Sequence, residues 1–457
     1  MTRSVLALLA LAVLLLGTVA APAQIVVEGV TPAGVRFALA PRPTSPVVAL
    51  SFSWRDGFGE ARPGREGLSG LAAAWHAAGP RGVSEAEFRE DLRDEGIGLS
   101  LGTFNGLTVG SLSAPLDRIE TAAERLRTLL LEPALNDTTL ARLKRQRRAA
   151  LAQARETPGT AARTAALTMV AGGSPFVLEL VAPARSTVAD VSRPDIEAWR
   201  AAVLARDNLV VAAAGPIAEP DLIRLVDRIF GELPERASAP ERAPVPLRTD
   251  RRTIVIERPV AQTTILLAGP TGLDPRDEAG ATRAGLAVQI LSAGQTSRLF
   301  RAVRVELGAT YGTSADLVSV GGTAQILLIS TAVDHALAPK ALATLRAQYE
   351  RFHRDGVSEV EVAPVRARLA NALEDGFGRV DVAGRLRAAM AAGREPAGVA
   401  AQPARVSAVT AAEINALITE RFPAPPLATV IVAPSAEGYE ADCVVSRGQA
   451  VEVCLGG

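Results

Sequence analysis

Three histidines, His76, His335 and His353, are the whole imidazole supply of this 457-residue chain, and no two stand at the H-x-x-x-H spacing that would put both on one helix face. His76 therefore reads as an ordinary helix histidine, core or solvent-side, rather than a metal ligand. Ser69, in Gly-Leu-Ser-Gly, lacks the second glycine of a G-x-S-x-G elbow, and neither a P-loop nor a dinucleotide G-x-G-x-x-G before a helix is present. What remains is the segment LSAGQTSRLFRAVRVELGATY, Leu291 to Tyr311, which holds Arg304 and Tyr311 on either side of Gly308. A guanidinium offers a permanently charged fork of donors to a carbonyl, and a phenol can donate to a developing oxyanion. Residue type alone is equally met by a solvated helix arginine and a half-buried strand tyrosine.

The elements that carry this pair are legible. The spacing predicts a helix from about Ser297, ended by Gly308, a residue able to take the left-handed conformation, and then a strand through ATYGTSA. In the first half, GLSGLAAAWHAAG, Gly67 to Gly79, reads as another helix. From about Val26 to Pro434 the chain resembles the insulinase/pitrilysin family of zinc peptidases, in which the helix opening with Gly-Leu carries H-x-x-E-H. Two histidines at i and i+4 bind the metal there, and the intervening glutamate is the general base. Here those places hold Gly70, Ala73 and Ala74, which have no lone pair or proton to offer. The family's third ligand would fall in RRAALAQARE, near Leu151, Ala152 and Gln153, with Glu156 the nearest acid. The resemblance thus implies no metal and no cofactor in this chain, with zinc in a partner. It also implies that Arg304 and Tyr311, matching an R-x-x-x-G-x-x-Y pattern, reach substrate bound at that partner's metal.

An internal duplication is visible without the family. VSRPDIEAWRAAVLARDNLVVAAAGP, Val191 to Pro216, superimposes without a gap on VTAAEINALITERFPAPPLATVIVAP, Val409 to Pro434, at an offset of 218 residues. Ser192 meets Thr410 and Asp195 meets Glu413, so both copies read capping box, amphipathic helix, buried strand. PERASAPERAPVPLRTD, Pro234 to Asp250, is the linker by composition. The expected organisation is an export signal over 1–23, a first domain over 24–235, a linker over 236–250, a second domain over 251–435 and a cysteine-containing tail over 436–457. Alternating strands are expected at Val35 to Leu39, Val47 to Trp54, Thr253 to Glu257 and Thr263 to Ala268. Helices are expected from Ser84 to about Glu95, from Leu116 to Leu131 and from Asp137 to Arg155. The fold class is therefore α+β: two homologous repeats, each a mainly antiparallel sheet with helices packed on one face.

Formal charge is zero and the two signs are interleaved, which argues against nucleic acid as a partner. RLKRQRR, Arg142 to Arg148, reads as a solvated helix face because no aromatic stacking residues accompany it. The opening MTRSVLALLALAVLLLGTVAAPAQ has one Arg, a short apolar run and Ala21-Pro-Ala23, the pattern of a secretory signal, so export to the bacterial periplasm and no membrane anchor after cleavage are expected. The only two cysteines, Cys443 and Cys454, should pair there, and DCVVSRGQAVEVC suggests two strands, Val444 to Val445 and Ala450 to Val453, around an Arg447-Gly448 turn. The function expected from the resemblance is the metal-free subunit of a heterodimeric zinc peptidase acting on peptides, its partner a homologue with intact H-x-x-E-H. A non-catalytic scaffold or assembly protein of the same fold is the alternative.

Overall fold

The computed structural model describes residues 25–56, 65, 67–172, 174, 187–239, 244–447, 449 and 452–455. The expected export signal and residues 240–243 of the expected linker lie outside these. The first half forms a six-stranded sheet from β1 (Val27–Val30), β2 (Arg36–Pro41), β3 (Val47–Arg55), β4 (Gly98–Phe104), β5 (Leu107–Pro115) and β6 (Leu209–Gly215), ordered β1-β2-β6-β3-β5-β4. All neighbours are antiparallel except β2 and β6. β4 and β5 are joined through Asn105 and Gly106, both at positive φ (49° and 63°), the conformation that lets a two-residue hairpin follow the twist of its strands. Strand β5 alternates buried and less buried residues, so one face of the sheet is committed to a core.

That core is covered by α1 (Leu68–His76), α2 (Glu85–Asp94), α3 (Ile119–Leu131), α6 (Arg193–Val203) and α7 (Glu219–Phe230); between α3 and α6 run α4 (Asp137–Glu156) and α5 (Pro158–Ala171). Ser84 caps α2 as expected, its hydroxyl accepting from the Glu87 amide. Phe52, Trp54 and Phe230 meet edge to face at its centre, with centroids 5.2 to 6.0 Å apart. Between α7 and the next strand the described residues form neither helix nor strand.

The second half repeats the plan. Its sheet, β12-β7-β11-β8-β10-β9, is built from β7 (Thr253–Glu257), β8 (Thr263–Pro270), β9 (Thr310–Val320), β10 (Ala324–Val333), β11 (Ala428–Ala433) and β12 (Cys443–Val445). Its helices are α8 (Glu278–Ser292), α9 (Ala338–Asp355), α10 (Glu359–Phe377), α11 (Val382–Ala391), α12 (Ala397–Ala400), α13 (Gln402–Ala408), α14 (Ala411–Arg421) and α15 (Glu452–Leu455). The duplicated segments become α6-β6 and α14-β11. Both helices open on complete capping boxes, Ser192 with Asp195 and Thr410 with Glu413, and both strands are buried along their whole length. The two sheets match strand for strand at five of six positions, all but β1 and β12, so the expected α+β duplication is the observed architecture.

Two features were not legible in periodicity. Each sheet is covered on its second face as well, by one helix from the other half. α5 lays Ala162, Ala166, Met169 and Val170 on the outer face of the second sheet, against Ile254, Leu266 and Val430. α11 lays Val382, Leu386 and Met390 on the first sheet, where Ala38, Ala40, Ala212 and Ala214 leave room for close approach. The tail also departs from the expected hairpin. Cys443 to Val445 is a strand parallel to β7, but the described residues after Gln449 form the single-turn helix α15, with Cys454 packed into the α5 interface. Cys443 and Cys454 are disulfide-bonded, with Cα atoms 5.8 Å apart. In this turn Val453 is 64% exposed while Cys454 is buried.

Candidate functional site

The helix with the family's metal positions is α1, capped by Gly67 at φ +83°, and it lies between α6, α4 and the edge strand β4. Ala73 is fully buried, and Gly70 faces β4 so closely that a Cβ there would sit 3.4 Å from Thr103 Oγ1. Neither residue, nor half-buried Ala74, carries a donor atom beyond the backbone. The expected third place lies on α4, where Leu151, Ala152 and Gln153 stand and Glu156 ends the helix exposed. Among the described residues, no three His, Cys, Asp or Glu side chains converge as a metal site. The donor set does not fit zinc.

His76, two residues beyond Ala74, ends α1 in the core. Its ring is fully buried and meets Trp199 edge to face at 5.9 Å, and neither ring nitrogen has a hydrogen-bond partner of normal geometry. Burial pushes its pKa down to about 3, nearby Arg200 adds to the effect, and the Ala72 carbonyl one turn back offsets it only in part. A buried neutral imidazole beside alanines is a packing residue. The anchor of this region was not found from sequence. Asp56, 3% exposed, accepts from Ser69 Oγ (2.9 Å), Thr108 Oγ1 (2.7 Å) and Trp199 Nε1 (2.8 Å), tying the start of α1 to β5 and α6. A lone Asp after a strand gives no such signal, because its partners lie far along the chain.

In the second half, the segment after α8 enters a helix near Arg298 and continues as a π-helix over Phe300–Glu306, a wider coil than the regular helix expected. Val303 and Ala302 fasten it to the core while Val305 points outward, leaving Arg304 half-buried between them. Gly308, at φ +65°, ends the coil, and β9 begins at Thr310 with Tyr311 its second residue. The Tyr311 side chain lies outside what the structure describes. Arg298 holds the coil in place: its guanidinium donates to Glu361 Oε1 (2.7 Å) and Oε2 (2.9 Å) and to the Gly356 carbonyl (2.7 Å). Hydrogen bonding from Arg298 lowers the Glu361 pKa to about 2. Beside this strand, between α8 and β9, lies a cleft of about 410 Å³ lined by Val288, Gln289, Ser292, Thr313, Ala315 and Asp316. The Arg/Tyr segment therefore belongs to the second sheet's edge, at β9, and the degenerate metal helix packs at the first sheet's edge, against β4.

Residues 190–369 match the model of the Peptidase M16 inactive domain. A peptidase M16 inactive domain from Pseudomonas fluorescens superimposes with a TM-score of 0.82 at 19% identity, covering 93% of this chain and 100% of that one. The M16-like peptidase of Alicyclobacillus acidocaldarius gives 0.74 at 15% identity, covering 90% and 98%. The periplasmic protease PqqL of Escherichia coli gives 0.75 at 15% identity, covering 90% of this chain but 46% of that chain. Among curated proteins no sequence matches. The insulinase/pitrilysin resemblance is borne out: residues 190–369 match the Peptidase M16 inactive domain family, in a chain whose described fold is that of the M16-like peptidases.

Proposed function

We propose that this chain is the non-metal-binding subunit of an exported heterodimeric zinc peptidase, its partner a homologue with intact H-x-x-E-H. The observation that carries the reading is the unequal fate of the two repeats. The first half, 24–235, has no metal donor at the family's ligand positions on α1 and α4, while the second half, 251–435, keeps the Arg304-Gly308-Tyr311 segment on a well-anchored coil and strand. The match to half the length of PqqL supports a second chain of similar size as the missing half. In this division of labour the partner supplies metal and general base. Arg304 donates to a carbonyl of the peptide, and the Tyr311 phenol donates to the oxyanion as it develops.

Mixing this chain with such a partner should create peptidase activity that neither shows alone. Tyr311→Phe keeps the ring and removes the donor, so the pair should assemble normally yet lose about 100-fold to 1000-fold in kcat, the cost of about 3 to 4 kcal/mol typical of one oxyanion donor. Arg304→Ala should lose activity with a larger rise in KM. Normal assembly with near wild-type turnover in both variants overturns the catalytic role and leaves the scaffold alternative.

A further inference from the structure

Helix α4 changes character halfway along. Its first part is built in: Leu140 is buried, Leu143 packs on the core, Arg142 donates to Glu85 and to Gln146, and Lys144 donates to the Ala189 carbonyl at 3.0 Å. From Arg145 to Ala150 every residue is exposed. Six consecutive residues exceed one and a half helical turns, so every face of the helix has an exposed residue there. The stretch holds itself by propensity, being made of Arg, Gln and Ala and followed by Leu and Ala.

Between Arg142 and Arg155 the sequence places six basic residues and no acid. Arg145, Arg147 and Arg148 make no hydrogen bond or ion pair among the described residues. Helix-dipole compensation does not account for them, since it fades beyond the last turn and these residues lie about two turns from the end at Glu156. Repulsion between Arg145 and Arg148, three apart, makes the arrangement mildly unfavourable in isolation. In a chain of zero net charge, three exposed guanidiniums without a partner among the described residues, on a helix packed beside α1, form a cationic platform. No aromatic residue occurs in α4 to stack on bases, and its exposed apolar residues are only alanines, too small to enter a bilayer.

We propose that the exposed half of α4 docks an acidic segment of the peptide that this subunit receives, through Arg145, Arg147 and Arg148. The proposal rests on the peptide-binding reading above, but its test uses this chain alone, so a failed reconstitution with a partner and a failed binding assay are separate results. Fluorescence anisotropy of the mature chain is measured with labelled Glu-Ala, Gln-Ala and Lys-Ala repeat peptides of equal length. The acidic peptide should bind and the other two should not, and raising ionic strength from about 0.05 M to about 0.5 M should weaken binding as exposed charges are screened. Arg145→Glu, Arg147→Glu and Arg148→Glu together should weaken acidic-peptide binding about tenfold or more with Tm and far-UV dichroism unchanged, since each exposed pair contributes modestly. Equal binding of the three peptides, or an unaffected folded variant, overturns the proposal. So does tighter capture of duplex DNA or of phosphatidylglycerol vesicles than of the acidic peptide.

Discussion

At the scale of single residues, the chain separates donors it has discarded from donors it keeps. Gly70, Ala73 and Ala74 could be read directly, because absence of a lone pair is a property of the residue and needs no structure. The Asp56 network could not, because a buried carboxylate is defined by what surrounds it. His76 gives a testable consequence. Its folded pKa, about 3, lies below the unfolded value of 6.5, so the unfolded chain binds the extra proton. Stability is then intact above pH 6.5 and falls as pH drops from 6.5 towards 3, by about 2 kcal/mol at pH 5. Urea titrations at pH 7 and pH 5 should show this loss in the native chain and much less of it in His76→Leu. An identical pH dependence in the variant would show that His76 is not its source.

At the scale of elements, most boundaries followed from caps, alternation and turn glycines. Thr253–Glu257 has the expected bounds, though it is buried on both faces rather than alternating, and Ser84, Ser192 and Thr410 each open the helix their capping pattern announces. The coil over Phe300–Glu306 and the single-turn helix at Glu452–Leu455 were not legible, since both are set by the partners they pack against rather than by local propensity. Glycine use within strands is also tertiary. Gly110 lies opposite Phe52 in the β3-β5 ladder, and a Cβ there would overlap the Phe52 ring, which Trp54 and Phe230 hold from the other sides. Gly110→Ala should therefore lower stability by about 1 to 3 kcal/mol despite the better strand propensity of alanine. Chemical denaturation decides it, and a neutral or stabilised variant would mean that the ring relaxes freely.

At the scale of the whole molecule, the duplication was readable from one segment repeated at a fixed offset, but the exchange of α5 and α11 between halves was not. Both helices look like ordinary apolar helices of their own repeat, and only the structure shows which sheet each one covers. The exchange makes each half part of the other's core. Leu386→Ala, at a fully buried position of α11 on the first sheet, should cost about 2 to 4 kcal/mol and shift a single cooperative transition followed by probes in both halves. Separate transitions for the two halves would contradict the coupling. The central claim is that this fold retains the frame of a zinc peptidase without the means to hold the metal. Zinc content of the isolated chain, measured by plasma mass spectrometry after exhaustive dialysis, tests it most directly. The account predicts far less than one zinc per chain and no peptide cleavage, whereas one tightly retained zinc per chain would contradict it.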